Sequence, residues 1–209
     1  MQRRFFALSS LATLATLTVL AGCGRKAETS PAAPPAPAAS GTAGAASEAP
    51  VTPAAQDAYT LAATGSGFTT GPIMSAHTVY VFFDTTCPHC AHLWQNTQPL
   101  GNQLKIVWMP IGLLRPQSLP QGATILGAKD PAAAMAENEA SVANHGGGIT
   151  AAASLDDAVV AKVRANTELF QKFNADSVPL IVFRNAKTGE VGQHAGAVDA
   201  AQLLALAGL

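Results

Sequence analysis

The stretch Thr78-Val79-Tyr80-Val81-Phe82-Phe83-Asp84-Thr85-Thr86-Cys87-Pro88-His89-Cys90 decides the fold. Thr78 to Phe83 lacks a polar face, which predicts a central strand covered on both sides. Thr85 and Thr86 offer a hydroxyl for a helix N-cap, and Pro88 suits a first turn, where no amide donor is needed. A helix is therefore predicted from about Cys87 or Pro88 to Leu100. Leu104-Lys105-Ile106-Val107-Trp108-Met109 reads as a second buried strand, closed by Pro110. Strand, helix and strand at this spacing make a parallel βαβ unit.

Downstream the pattern turns helical. Asp130-Pro131 places a capping acid before a first-turn proline, and Gly146-Gly147-Gly148 ends that helix. Ser154 with Asp157 predicts another helix start. Val159, Val160, Val163, Leu169, Phe170 and Phe173 keep helical spacing, with a break expected near Asn166. Val178-Pro179-Leu180-Ile181-Val182-Phe183 reads as a strand, Asn185 to Glu190 as a turn, and Val191 to His194 as its partner. A final helix is predicted over about Ala200 to Ala207. The fold class is α/β, with a helical insertion between the βαβ unit and a C-terminal ββα unit. The domain is expected to span 57–209.

Upstream the composition changes. Arg3 and Arg4 precede an apolar stretch from Phe5 to Ala21, too short and too rich in Ser and Thr for a stable transmembrane helix. It ends in Leu20-Ala21-Gly22-Cys23, which resembles the lipobox of bacterial lipoproteins. That resemblance implies a signal peptide over 1–22 and a diacylglycerol on the Cys23 sulfur. An ordinary signal peptide with a coincidental cysteine is the alternative. Arg3-Arg4-Phe5-Phe6 loosely resembles a twin-arginine signal, so the export route stays open. In residues 31–50, 14 of 20 are Ala or Pro, a composition that cannot bury enough apolar surface to offset its ordering entropy. Residues 23–56 are thus expected to be a lipidated cysteine followed by a disordered spacer.

Charge narrows the partners. The chain of 209 residues carries a formal net charge of −1, and from Tyr59 onward eight Lys and Arg face ten Asp and Glu. No basic stripe is present to hold nucleic acid. Three cysteines cannot build a disulfide framework. In an oxidising export compartment the remaining pair, Cys87 and Cys90, either forms a structural bridge or works as a redox couple.

The motif favours the second. A thiolate is the nucleophile of disulfide exchange, and a helix N-terminus favours thiolate over thiol. The two-residue gap lets the second sulfur reach the first and resolve a mixed disulfide. His89, when protonated, adds positive charge beside Cys87, so a strongly oxidising couple is expected. A zinc half-site would need two more ligands, and haem attachment would need His where Ala91 stands. A bridge closing so short a loop stabilises little.

This context resembles the periplasmic thioredoxin-fold disulfide oxidoreductases of the DsbG/DsbC type. The likeness runs through Val79-Tyr80-Val81-Phe82, Asp84, the cysteine pair and Trp94. It continues over Ile125-Leu126-Gly127-Ala128-Lys129-Asp130-Pro131-Ala132 to Val178-Pro179, covering roughly Thr78 to Leu209. The resemblance implies that Cys87 attacks, Cys90 resolves, and Pro179 is a cis-proline facing them, with Val178 offering backbone hydrogen bonds to substrate. The Pro88-His89 dipeptide and the valine before the proline are more typical of the DsbA type. Where the isomerases carry a dimerisation domain this chain has its Ala/Pro spacer, so a monomer is expected.

The implied activity is thiol:disulfide interchange, acting on exported proteins that carry thiols, disulfides or sulfenic acids, and needing no metal or cofactor. A membrane redox partner would reset the cysteines, and lipidated Cys23 would hold the chain to a bacterial membrane in the periplasm. Asp84 either shuttles a proton or simply ends its strand. Trp94 reads as core, His92 as a solvated helix position, and His145 as compensation of a helix dipole; His194 has no assignment. The alternative function is copper or other metal delivery on the same fold, since soft thiolates suit Cu(I).

Overall fold

The structure is a computed structural model and describes residues 57–209. The expected signal segment, Cys23 and the spacer lie outside the described residues. The central sheet has five strands in the order β1-β3-β2-β4-β5: β1 Phe68–Thr70, β2 Thr78–Asp84, β3 Lys105–Ile111, β4 Leu180–Arg184 and β5 Val191–Ala195. β2 runs parallel to β3, and β1, β4 and β5 pair antiparallel with their neighbours. The βαβ unit and the terminal ββα unit thus share one sheet.

β2 sits at its centre, with Val79, Val81, Phe82 and Phe83 fully buried. Alternation along the strand sends Phe82 to one face, with its ring 5.2 Å from Phe173. Phe83 goes to the other, 6.1 Å from Trp108, which in turn meets Trp94 at 5.2 Å. Helix α2, Pro88–Thr97, continues as a 3₁₀ turn at Gln98–Leu100. Its N-cap is Cys87, not Thr85 or Thr86. The Thr86 amide and hydroxyl both bond Asp84, and the Thr85 hydroxyl donates to Gln121, so neither is free to cap.

Pro110 does not close β3 but lies inside it, paired with Phe83. β1 stops opposite Trp108, leaving β3 an edge strand beyond that point, where a residue without an N–H is tolerated. The Pro110 carbonyl on that edge accepts from Asn166 Nδ2 at 3.0 Å.

Asn166 also explains why no helix break occurs where the apolar spacing lapses. Helix α5, Asp157–Gln171, runs straight through it. Its buried amide bonds the Ser66 N–H and C=O as well as Pro110, filling a core position with polar contacts. The N-cap of α5 is Asp156, which accepts from the Ala158 amide, so Ser154 does not open this helix.

Three elements emerge that local spacing did not predict: α1 Ala58–Ala62, β1, and α3 Ser118–Gly127. α1 and β1 are too short to show a period, and Tyr59 of α1 fixes its place by an edge contact 5.1 Å from Tyr80. The remaining helices, α4 Pro131–Ala143 and α6 Ala200–Ala207, fall close to their predicted ranges, each capped by the preceding aspartate. Among the described residues no helix is long and apolar enough to cross a membrane.

Candidate active site

Cys87 has extended backbone, φ −90° and ψ 116°, and its carbonyl accepts the amides of Cys90 at 3.0 Å and Ala91 at 3.2 Å. The side chain is therefore held over the first turn of α2, at the positive end of the helix, where the backbone amides of Cys90 and His89 act on it. Its sulfur lies 3.5 Å from the Val178 carbonyl, within reach of a bond from the protonated thiol. The Val178-Pro179 peptide bond is cis. Chain segments 91 residues apart thus meet at one sulfur.

The two thiols differ in environment. Cys87 is 4% exposed and Cys90 not at all; both are free. The neighbouring Cys90 side chain, more than any other cause, pulls the Cys87 thiol down to about 6. The amides of Cys90 and His89 and the His89 charge act in the same direction, against the cost of burial. Cys90 is pushed well above its ordinary value, first by burial and then by its neighbour Cys87. Near neutral pH this is one nucleophilic thiolate above one buried thiol.

Asp84 is fully buried, and its carboxylate is surrounded by donors. Oδ1 accepts from the Thr86 amide, the Thr86 hydroxyl and the Ser118 hydroxyl at 2.7–2.9 Å. Oδ2 accepts from the amides of Leu113 at 2.9 Å and Leu114 at 2.8 Å. This geometry ties the loop after β3 to the turn that carries Cys87.

A second polar cluster comes from the helical insertion. Asn138 donates to the Thr85 carbonyl at 2.9 Å and to Glu139 Oε1 at 3.1 Å, and accepts from the Ile149 amide. Gln121 accepts from Thr85 and donates to the carbonyls of Gly147 and Ile149. Glu139 is fully buried, and burial pushes its carboxyl up to about 8. Sequence reasoning passed over Gln121, Asn138 and Glu139. A signal existed: Met135, Asn138, Glu139 and Val142 follow the i, i+3, i+4, i+7 stripe of a buried helix face, and two of the four are polar.

The other predicted residues scatter. His89 and His92 are exposed on α2, their rings 6.2 Å apart, and Trp94 is core. His145, with φ 62°, lines a surface cavity of about 360 Å³ beside Pro88, together with Thr86 and Arg115. His194 lies on β5 opposite Ile181, away from the cysteines. Among the described residues no three His, Cys, Asp or Glu side chains gather into a ligand set.

A cysteine pair at a helix start after a central parallel strand, met by a cis-proline loop, is the arrangement of thioredoxin-like proteins. The profile of the thioredoxin-like domain family matches residues 73–208, and the chain belongs to that family. In sequence it is similar to the thiol:disulfide interchange protein DsbG of Pseudomonas aeruginosa, with 26% identity over 158 residues, 75% of this chain and 60% of the relative. DsbG of Escherichia coli matches at 29% over 123 residues, 58% of this chain and 48% of the relative. The chain thus spans about half to three-fifths of the length of the curated relatives it matches.

Solved structures share the fold. A periplasmic thioredoxin-like protein from Salmonella enterica serovar Typhimurium superposes with a TM-score of 0.55, at 17% identity, over 68% of this chain and 88% of its own. Proteus mirabilis ScsC in a transitional conformation gives 0.57, at 17% identity, over 70% and 72%. Pseudomonas aeruginosa DsbA2 gives 0.54, at 18% identity, over 66% and 90%.

Proposed function

We propose that this chain is a thiol:disulfide interchange protein that exchanges disulfides with exported proteins through the Cys87-Pro88-His89-Cys90 couple. One observation carries the reading: Cys87, drawn down to about 6, shares its pocket with a fully buried partner thiol and the Val178 carbonyl. A thiolate so placed attacks a disulfide sulfur or departs from one, and Cys90 completes or begins the exchange. Val178 and Pro179 form the wall against which an extended substrate lies. The likeness to DsbG supports the same chemistry, and the near-neutral charge fits unfolded protein substrates better than nucleic acid.

The test uses glutathione disulfide with the reduced full chain. Stoichiometric loss of two thiols, proceeding through a glutathione adduct on Cys87, is the expected result. A chain whose cysteines react no faster than free cysteine would sink the reading. The redox partner is proposed to be a membrane protein, since a periplasmic couple needs an external source or sink of electrons.

The tether is proposed on sequence grounds, from Leu20-Ala21-Gly22-Cys23 and the spacer behind it. One acyl chain binds membranes only marginally, at about 0.8 kcal/mol per buried methylene, whereas a diacyl thioether with a further acyl group anchors firmly. Cys23→Ala is expected to abolish fatty-acid labelling and to move the protein from the detergent phase to the aqueous phase. Unchanged partitioning would remove the lipid anchor from the proposal.

A further inference from the structure

A surface cavity of about 360 Å³ borders the turn that carries Cys87, and the residues on both sides of that cysteine, Thr86 and Pro88, form part of its wall. Arg115 and Gln117 join them from the loop after β3, and His145 from just past the end of α4. One of these side chains is a cation and another becomes one on protonation, while no Asp or Glu of the described residues lines the cavity.

Arg115 is exposed and has no acidic partner, since among the described residues the one ion pair joins Arg184 to Asp57. Asp84, which ties this loop to the Cys87 turn, is fully buried and occupies both oxygens with five donors. The same bracket fixes the Arg115 backbone: its amide donates to Ser118 Oγ at 3.2 Å, and that hydroxyl donates to Asp84 at 2.7 Å. An unpaired guanidinium is thus carried on a braced loop beside the reacting sulfur.

His145 is an independent sign. Its φ of 62° is left-handed, a conformation that costs energy in any residue with a Cβ. It closes α4 in a Schellman turn, with its amide donating to the Val142 carbonyl at 3.0 Å and the Gly146 amide to the Ser141 carbonyl at 2.8 Å. Glycine or asparagine ordinarily fills that place. Compensation of the α4 dipole does not explain a histidine there, because a cation in the last turn does the same without strain. The residue lies instead in the wall of the cavity, and an imidazole has an N–H to donate in either protonation state. Gln117 is the N-cap of α3, which brings the positive end of that helix to the same wall.

From this arrangement we infer that the cavity receives a carboxylate of the polypeptide substrate, carried on an acidic side chain within about three residues of the cysteine under attack. The inference rests on the interchange chemistry proposed above. The reach fits, because an extended chain advances about 3.3–3.6 Å per residue and the wall begins at the residues next to Cys87. A carboxylate seated there exchanges its hydration for charge-assisted bonds from Arg115, whose planar fork matches it, and from His145. The cations also offset the repulsion that an acidic substrate meets from the Cys87 thiolate. The outcome is a preference among substrates.

The experiment reads second-order rates of the reduced full chain with capped peptides that carry one cysteine as its disulfide with pyridine-2-thiol. The peptides differ only in having Glu or Gln two residues from that cysteine, on either side. The Glu peptide should react about fivefold faster at low salt, and the advantage should fade toward unity at about 0.5 M salt. Arg115→Gln should cut the ratio to about twofold or less, and Arg115→Lys should keep more of it. His145→Gly should also lower the ratio without lowering the melting temperature, because glycine relieves the left-handed backbone. Any effect of these changes on Cys87 itself cancels in the ratio.

Equal native rates for the two peptides, with both reacting, would overturn this inference and leave the interchange reading intact. A ratio unmoved by Arg115→Gln would do the same. Failure of either peptide to react at all would overturn both. A Gln peptide ending in a free carboxylate just after its cysteine separates a chain terminus from a side chain as the source of the anion. Reaction at the capped Gln rate supports the side chain, and a rate above that of the Glu peptide would overturn that choice. Should Arg115→Gln not fold, the salt dependence of the native ratio decides, since a steric preference for Glu does not fade with salt.

Discussion

Cys87→Ser is expected to abolish disulfide exchange, while Cys90→Ser should accumulate substrate proteins covalently bound through Cys87. The asymmetry follows from position. Cys87 is the sulfur at the open end of α2, beside the Val178 carbonyl, and Cys90 is sealed in the core. A substrate sulfur can approach the first and not the second. Without the Cys90 thiol, the mixed disulfide loses its intramolecular route of release and persists until an external thiol arrives. Effective molarities for well-oriented intramolecular attack reach about 10⁵ M and above, so the adduct should outlive its native counterpart by orders of magnitude at micromolar thiol. Non-reducing gels of cells expressing each variant read this directly. Adducts held on Cys90 in the Cys87→Ser protein would reverse the assignment of roles.

Cys90→Ala is expected to raise the Cys87 pKa further than His89→Ala does. The motif alone points to His89, because an imidazolium beside a sulfur is the visible charge. In the folded protein the Cys90 thiol is the leading cause of the lowering, the backbone amides of Cys90 and His89 follow, and the His89 charge comes after them. The difference is one of screening. His89 is exposed, and water attenuates its field, whereas Cys90 acts from a fully buried position beside the sulfur.

Removing the Cys90 thiol should lift Cys87 by about one unit or more, each unit being about 1.4 kcal/mol in favour of the neutral thiol. Removing the imidazole should change it by less. Thiolate absorbance followed through a pH titration measures both. A larger shift in His89→Ala would restore the histidine to first place. Cysteines of such pairs span roughly 3.5 to 7. A value of about 6 falls toward the upper end, so the couple is expected to be a weaker oxidant than the bare motif suggests.

The sign of the accompanying pH dependence is set by the same shift. Cys87 titrates lower in the folded reduced protein than in an unfolded chain. Its thiolate therefore stabilises the reduced fold fully above the ordinary thiol value, and the contribution is lost as pH falls through about 6. Glu139 works oppositely: its raised value favours the fold at low pH, and that advantage fades as pH rises through about 8.

What the amino-acid order by itself determined is whatever depends on neighbours along the chain. The run Thr78 to Phe83 is apolar on both faces and can only be a covered strand. Cys87 and Cys90 lie one helical turn apart wherever that helix goes, and Pro88 can only open it. The α/β class, the βαβ unit, the terminal hairpin and helix, and the place of the cysteine pair at a helix start were legible for that reason. The expected pairing of Val178-Pro179 with that centre came through family resemblance, since nothing local joins segments 91 residues apart.

Tertiary structure alone decided the rest. Asn166 looked like an interruption of a helical stripe and is a buried bracket between Ser66 and Pro110. Pro110 looked like a terminator and is accommodated because β1 ends before reaching it. Asp84 could be weighed only between two local roles, yet three of its five donors come from the loop and helix that follow β3. Glu139 was easy to pass over, because a glutamate on an Ala-rich helix is ordinarily solvated, and only its place in the stripe Met135, Asn138, Glu139 and Val142 hinted at burial. The packing of α4 against α2, α3 and β1 removes water from it and leaves its Oε2 buried without a partner. Burial and electrostatic coupling act through space, and they decide which ionisable groups are held away from their ordinary protonation.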